Sequence, residues 1–300
     1  MGNSTIIIIV IALLLIFPIV GGLISYFTAK RLVIWTKNVQ IISKRKDLEK
    51  SPKLKEIIRL ISLISNQYHL PMPEIGVYPS REINAFATGR PNDSLIAFSS
   101  GLINAMESKE IKGVVAHEMA HLINYDLKKI LLFQGAMEFL LMIFNFLLHV
   151  WVMKMMEKKK EKGENNLGVA IICSIIYFLL SSVLRMISIL IILAFIRSRE
   201  LKADRLGAEI AGVDTMIGSL KKLISLEKKD WIVDGVDLSE EDEEQLKREQ
   251  NSEPTSIQVS KFNPQQKKNW LLDLFRTHPP LEERIARLER LRNIIEKNKF

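Results

Sequence analysis

Cysteine is almost missing from these 300 residues, with Cys173 standing alone. One sulfur builds neither a disulfide framework nor a thiolate metal site, so any metal must be held by histidine and carboxylate. Histidine is scarce too, at 5 residues, which gives each one weight. Charge is absent from residues 1–29. No basic segment is interleaved with aromatic residues. The formal net charge of +8 therefore points to the anionic inner face of a membrane and away from nucleic acid.

What is abundant is uninterrupted apolar sequence. Thr5–Phe27 is long enough to cross a bilayer core of ~30 Å. Its neutral start, "MGNST", and its exit, "TAKRLVIW", lack the basic start and small-residue exit of a cleaved signal peptide, so a retained anchor is expected over 1–29. Ile130–Met153 and Gly168–Phe195 are two further expected spans, forming a transmembrane hairpin over 130–195. Lys30, Arg31, Lys37, Lys44, Arg45 and Lys46 follow the first span. Lys128 and Lys129 precede the second, and Arg197, Arg199, Lys202 and Arg205 follow the third. This bias predicts a multi-pass cell-membrane protein with 30–129 and 196–300 in the cytoplasm. The five lysines of 154–167 dissent and lose by parity, because two spans return the chain to the face it left.

Between the spans lies sequence of a folded, water-facing kind. "SPKLKEIIRLISLISNQY" reads as an amphipathic helix with Ser51 as its N-cap. "EIGVYP", "EINAFATG" and "DSLIAFSS" read as short strands, with a turn at "GRPND". The stretch from Ser100 to Asp126 then reads as one helix. The fold expected is mainly α with a small β-sheet.

That last helix carries "HEMAH". His117 and His121 are four apart, so on a helix they share a face and can hold one ion together. Zinc accepts imidazole nitrogen, and a catalytic site adds a third protein ligand while leaving a position open to water. Glu118 would reach that water as general base. Two histidines packed into a helix interface are the bland alternative, and a third ligand decides between them. "RSRELKADRLGAE" offers one. Glu200 and Asp204 are spaced i, i+4, so Glu200 can complete a His₂Glu set and Asp204 can hold a ligand imidazole through its other nitrogen. The competing reading pairs these acids with Lys202, Arg205 or Lys128.

"HEMAHLINYD", two apolar spans, "SRELKADRLGA" and "THPPLEERIARL" together resemble the HtpX family of membrane zinc endopeptidases, with the eukaryotic CAAX prenyl protease a more distant relative. "NAFATG" and "GLI" ahead of the zinc helix are similar to that family as well. The resemblance implies a zincin-like (gluzincin) catalytic domain joined to transmembrane helices, and one Zn2+ per chain on His117, His121 and Glu200. It further implies Glu118 as base, Asp204 in support, and misfolded membrane proteins as substrates. It places His278 and Arg284 beside the zinc, where a donor would stabilise an oxyanion. The family often has two spans before the sheet where one is found here, and the polar segment 232–270 has no clear counterpart; we expect it to form a flap.

Two further expectations come from the residues themselves. A peptide can be held extended on a sheet edge, and Asn84, Ala85, Phe86 and Ala87 are the candidate edge. In the hairpin, Gln134, Glu138, Asn145 and His149 share one arc of the second span, and Ser174, Tyr177, Ser181, Arg185 and Ser188 share one of the third. Glu138 and Arg185 are expected to pair within the membrane. The sequence thus predicts a membrane zinc endopeptidase acting on protein or peptide substrates. A prenyl-protein processing protease and a catalytically silent scaffold that retains a zinc site are the alternatives.

Overall fold

The structure is a computed structural model. It describes residues 3–42, 51–160, 167–227 and 278–297, with the backbone alone given for 3–19, 158–160, 167, 169 and 170. The expected flap at 232–270 lies outside the described residues. Two compact units emerge. One comprises 1–26 with 128–195, and the other comprises 27–127 with 196–300.

The second unit is organised by short, strongly patterned elements. The end of helix α1 (Asn3–Thr36) leads into β1 (Gln40–Ile41) and then α2 (Pro52–Gln67). Ser51 occupies the N-cap of α2 with Pro52 in the first turn, as a helix start favours. Leu54, Ile57, Ile61 and Ile64 recur at helical spacing and are buried, each side chain contributing about 1.5–3 kcal/mol of burial. They pack on Ile96, Phe98, Val115 and Met119 to make the main core.

Strands β2 (Glu74–Tyr78), β3 (Ala85–Arg90) and β4 (Asp93–Ser99) join β1 in one sheet of order β1-β2-β4-β3. β2 and β4 run parallel while β3 returns antiparallel to β4. The turn expected at "GRPND" is a tight connection in which Gly89 adopts φ 96. A Cβ there would meet the Asp93 carbonyl oxygen at 2.3 Å, so the position requires glycine. Lys30 of α1 pairs with Glu74 at 3.1 Å and also with Asp93, tying the end of α1 to two strand starts.

The single helix expected from Ser100 onward is two. α3 (Ser100–Ala105) ends at Met106, which is extended at φ -106 and ψ 144. Then α4 (Ser108–Ile123) begins with the Glu110 side chain accepting from the Glu107 backbone N–H at 2.7 Å. Glu107 and Glu110 thus supply a helix start in a stretch whose apolar periodicity alone reads as continuous.

α5 (Asp126–Lys160) and α6 (Leu167–Ala211) follow, then α7 (Val213–Glu227) and α8 (Leu281–Lys297). Ala208 of α6, Met216, Ile217 and Leu220 of α7, and Ile285 and Leu288 of α8 form a second core. Glycine allows close approach twice here. A Cβ on Gly113 would collide with Ser219 at 2.1 Å, and one on Gly207 would press Met216 at 3.1 Å and the His117 backbone nitrogen at 3.4 Å. α4 is thereby set directly against α7 and the end of α6.

The first unit is of another kind. Asp126–Glu157 and Ile171–Ala211 are long and apolar enough to cross a membrane by length and composition. They are not a hidden soluble core, since Leu132 is 65% exposed and Phe178 69%. The third expected span, Thr5–Phe27, falls within the 34 residues of α1. Phe133 stacks on Phe195 and His149 meets Tyr177 edge-on. No ion pair joins Glu138 and Arg185 among the described residues. The aromatic contacts set Arg185 level with about residue 142, so Glu138 is offset by ~6 Å along the axis, and both side chains are exposed. Counting depth from the two span ends missed that stagger.

Candidate metal centre

Three helices converge on one point of the second unit. α4 turns its Ile111–Val115–Met119 stripe into the main core, which leaves His117, Glu118 and His121 on the adjoining face. α6 brings Glu200 and Asp204, and α8 brings Arg284. His278 precedes α8 at the edge of the described chain.

The ligand atoms of His117, His121 and Glu200 all lie within 4.8 Å of one another. The two imidazoles present Nε2 to Nε2 at 3.2 Å. His117 Nδ1 lies 3.0 Å from Asp204 Oδ1, and His121 Nδ1 lies 2.8 Å from Asp126 Oδ2. A carboxylate at each Nδ1 fixes the proton there, so both Nε2 lone pairs point inward. Glu200 adds its carboxylate, 3.6 Å from His117 Nε2 and 3.4 Å from His121 Nε2. Its Oε2 is buried with no hydrogen-bond partner, although His278 Nδ1 sits at ion-pair range, 2.8 Å away. Two lone pairs and a buried anion facing one another repel unless a cation lies between them. The donor set, two imidazole nitrogens and one carboxylate, fits zinc.

The electrostatics agree. Burial and the Arg284 guanidinium oppose charge on His117, but the carboxylates of Asp204, at Nδ1, and of Glu200, facing Nε2, outweigh them and push its pKa up to about 10. Asp204 and Glu200 thus favour positive charge at this spot. Glu118 is buried beside this group, and no described residue hydrogen-bonds or ion-pairs with its carboxylate.

Arg284 takes a different post from the one expected. Its Nε and Nη2 donate to Asp204 Oδ2 and Oδ1 at 2.7 and 2.6 Å, and Nη2 lies 3.3 Å from His117 Nδ1. It stands behind His117 rather than across from it. Burial opposes its charge, yet Asp204, Glu200 and Glu118 raise its pKa overall.

Sequence reasoning missed Asp126 and Arg199. Both are buried and paired with each other, and Asp126 does for His121 what Asp204 does for His117. The available signal was an acid just past the end of α4, five residues after His121, which lies off the helical spacing. β3, meanwhile, is an edge strand, with β4 its one neighbour among the described residues. The Ser99 N–H donates to the Asn84 carbonyl at 2.9 Å, so antiparallel alternation turns the main-chain groups of Asn84 and Phe86 toward β4. Those of Ala85 and Ala87 face the open edge.

Known proteins share these features over most of the chain. The sequence profile of peptidase family M48 matches residues 49–292. Protease HtpX of Pseudomonas savastanoi pv. phaseolicola is 33% identical over 276 residues, 92% of this chain and 83% of that one. The Protease HtpX homolog of Bacillus subtilis is 32% identical over 281 residues, covering 92% and 84%. Among solved structures, the crystal structure of Ste24p from S. mikatae matches 91% of this chain with a TM-score of 0.58 at 16% identity. That likeness is one of fold, and the present chain spans 57% of the Ste24p chain. With the His-His-Glu cluster and the fold in agreement, the chain belongs to peptidase family M48.

Proposed function

We propose that this protein is a membrane-bound, zinc-dependent endopeptidase whose centre lies at the cytoplasmic face and serves membrane-protein quality control. The observation that carries the chemistry is the convergence of His117 Nε2, His121 Nε2 and Glu200, each Nδ1 being held by a carboxylate. Zinc held by His117, His121 and Glu200 would supply Lewis-acid polarisation of a peptide carbonyl and would lower the pKa of water toward about 7. Glu118, buried and uncommitted, takes the proton from the attacking water and passes it to the departing amine. His278 faces Glu200 through Nδ1 and, in its doubly protonated form, donates from Nε2–H to the developing oxyanion. Asp204 orients His117, and Arg284 holds Asp204 in a two-point grip, which makes Arg284 a positioning group here. The substrate lies extended along β3, bonded through the main-chain groups of Ala85 and Ala87, with Asn84 and Phe86 shaping the strand.

The apolar helices and the flanking Lys30, Arg31, Lys128, Lys129 and Arg197 support the orientation. In this reading 1–29 is an anchor, 130–195 a membrane hairpin, and 30–129 with 196–300 the cytoplasmic enzyme. The test uses the full chain purified in detergent and an unfolded protein as substrate. Stoichiometric zinc, with cleavage lost on chelation and restored by zinc, is expected. Zinc without cleavage would instead favour the silent scaffold, and neither zinc nor cleavage would end the reading.

A further inference from the structure

His121 is held from a direction that the His-Glu-x-x-His spacing does not supply. Asp126, buried at the start of α5, offers Oδ2 to His121 Nδ1 at 2.8 Å. Its other oxygen, Oδ1, accepts from Arg199 Nε, with Nη2 at ion-pair range. Arg199 is buried on α6, immediately before Glu200.

The same construction stands behind the other imidazole. Arg284 grips Asp204, and Asp204 meets His117 Nδ1. The centre therefore contains two chains of the same residue types, Arg284–Asp204–His117 and Arg199–Asp126–His121, the first guanidinium gripping both carboxylate oxygens and the second holding one. The backbone also departs from its usual habits to make the second one. Tyr125, between α4 and α5, sits at φ 53, a left-handed conformation disfavoured for a residue with a Cβ. Strain of this kind persists where the surroundings over-determine it, typically at functional sites. Here it lies at the turn that brings Asp126 back beneath His121. A buried Arg–Asp pair is by itself weak ground for stability. What the pair does for the imidazole is the better explanation: a carboxylate at Nδ1 fixes the tautomer and makes Nε2 a stronger donor.

We infer that Asp126, locked by Arg199, is a positioning residue that fixes the tautomer, aim and donor strength of His121 toward a divalent metal. This rests on the zinc reading given above. Neither residue touches substrate or metal. Because Asp126 opens α5 and Arg199 lies on α6, the two helices bearing the apolar runs each contribute one link to the aim of a ligand.

The test measures zinc affinity by competition with a chromophoric chelator, together with the visible spectrum of the cobalt-substituted full chain in detergent. Asp126→Asn is expected to weaken zinc about 10–100-fold and to shift the cobalt bands. Arg199→Gln, which keeps the carboxylate but unlocks it, is expected to weaken zinc several-fold. Should Asp126→Asn fail to fold with Arg199 left unpaired, the double variant Asp126→Asn/Arg199→Gln replaces the pair with two neutral amides. It is expected to bind zinc as weakly as Asp126→Asn would. A merely structural pair would lower the metal-free melting temperature and leave affinity and spectrum alone. Wild-type zinc binding matched within twofold by the folded double variant, with unchanged cobalt bands, overturns the inference while sparing the metal centre. A wild type that binds no zinc overturns both.

Discussion

The two units dispose of charge and apolar surface in opposite ways. In the unit that holds the candidate metal centre, Asp126, Arg199, Glu200, Asp204 and Arg284 are buried, the Asp and Arg residues in pairs and Glu200 facing three imidazoles. In the hairpin unit the apolar side chains lie outside, Phe178 and Leu132 among them, while Glu138 and Arg185 are exposed without pairing to each other. Buried charge is tolerable when every partner is in place. Exposed apolar surface is tolerable when the surroundings are themselves apolar. One chain thus contains a part built for water and a part built for lipid, and the same substitution should act differently in each.

The largest differences should come from deleting paired charge and buried rings. Arg284→Met strips buried Asp204 of its two-point guanidinium partner and leaves it His117 alone, at an expected cost of about 3–5 kcal/mol. Arg287, on the same helix α8, pairs with Glu283 at the surface, so Arg287→Met should cost less than about 1 kcal/mol. Denaturant unfolding of the detergent-purified chain reads both, and equal losses would erase the distinction between the two pairs. Of similar size is the contrast between two phenylalanines. Phe98 is 0% exposed in the main core, so Phe98→Ala should cost about 3–5 kcal/mol. Phe178→Ala should change stability by no more than about 0.5 kcal/mol. A large loss at Phe178 would mean that the hairpin hides a packed interface.

A pH titration sharpens the picture of the centre itself. The pKa of His117 is pushed up to about 10 in the metal-free fold, above the ordinary imidazole value near 6.5. A raised folded-state value stabilises fully below the unfolded pKa and loses that contribution as pH rises through the folded one. The metal-free chain should therefore melt at progressively lower temperature from about pH 7 to pH 10, and zinc should abolish that slope. A metal-free slope of the opposite sign that persists in His117→Gln would show that another group governs the window.

The smallest contrast is between glycines. Gly207→Ala must displace Met216 and crowd the His117 backbone, at a cost of about 1–3 kcal/mol. Gly218 on α7 has nothing within 4 Å of its would-be Cβ, so Gly218→Ala should stabilise by up to about 1 kcal/mol. Thermal melting compares them directly, and a stabilising Gly207→Ala would show that α6 and α4 have slack between them.

Much of the centre was legible because its chemistry repeats at helical spacing. His117 and His121 share a face of α4, and Glu200 and Asp204 share one of α6, so four residues could be placed together before their helices were. Strand β3 was legible as an edge through its small residues, although its register, which sets Ala85 and Ala87 outward, needed the pairing with β4. What was hidden depended on geometry between elements. The break at Glu107 replaces one helix by two through a local capping bond that apolar periodicity overlooks. Asp126 comes back onto His121 through a turn in which Tyr125 is left-handed at φ 53, which apolar periodicity does not announce. Glu138 and Arg185 looked matched in depth, but the stagger of α5 against α6 is set by the aromatic contacts of Phe133 and His149.

The central claim is that Glu118 moves the proton for a metal held by its neighbours. The most direct measurement compares wild type with Glu118→Gln for zinc content and for cleavage of an unfolded protein under the same conditions. The account predicts unchanged stoichiometric zinc and cleavage reduced by about 10²–10⁴-fold. A variant that keeps its zinc and cleaves at the wild-type rate would contradict it.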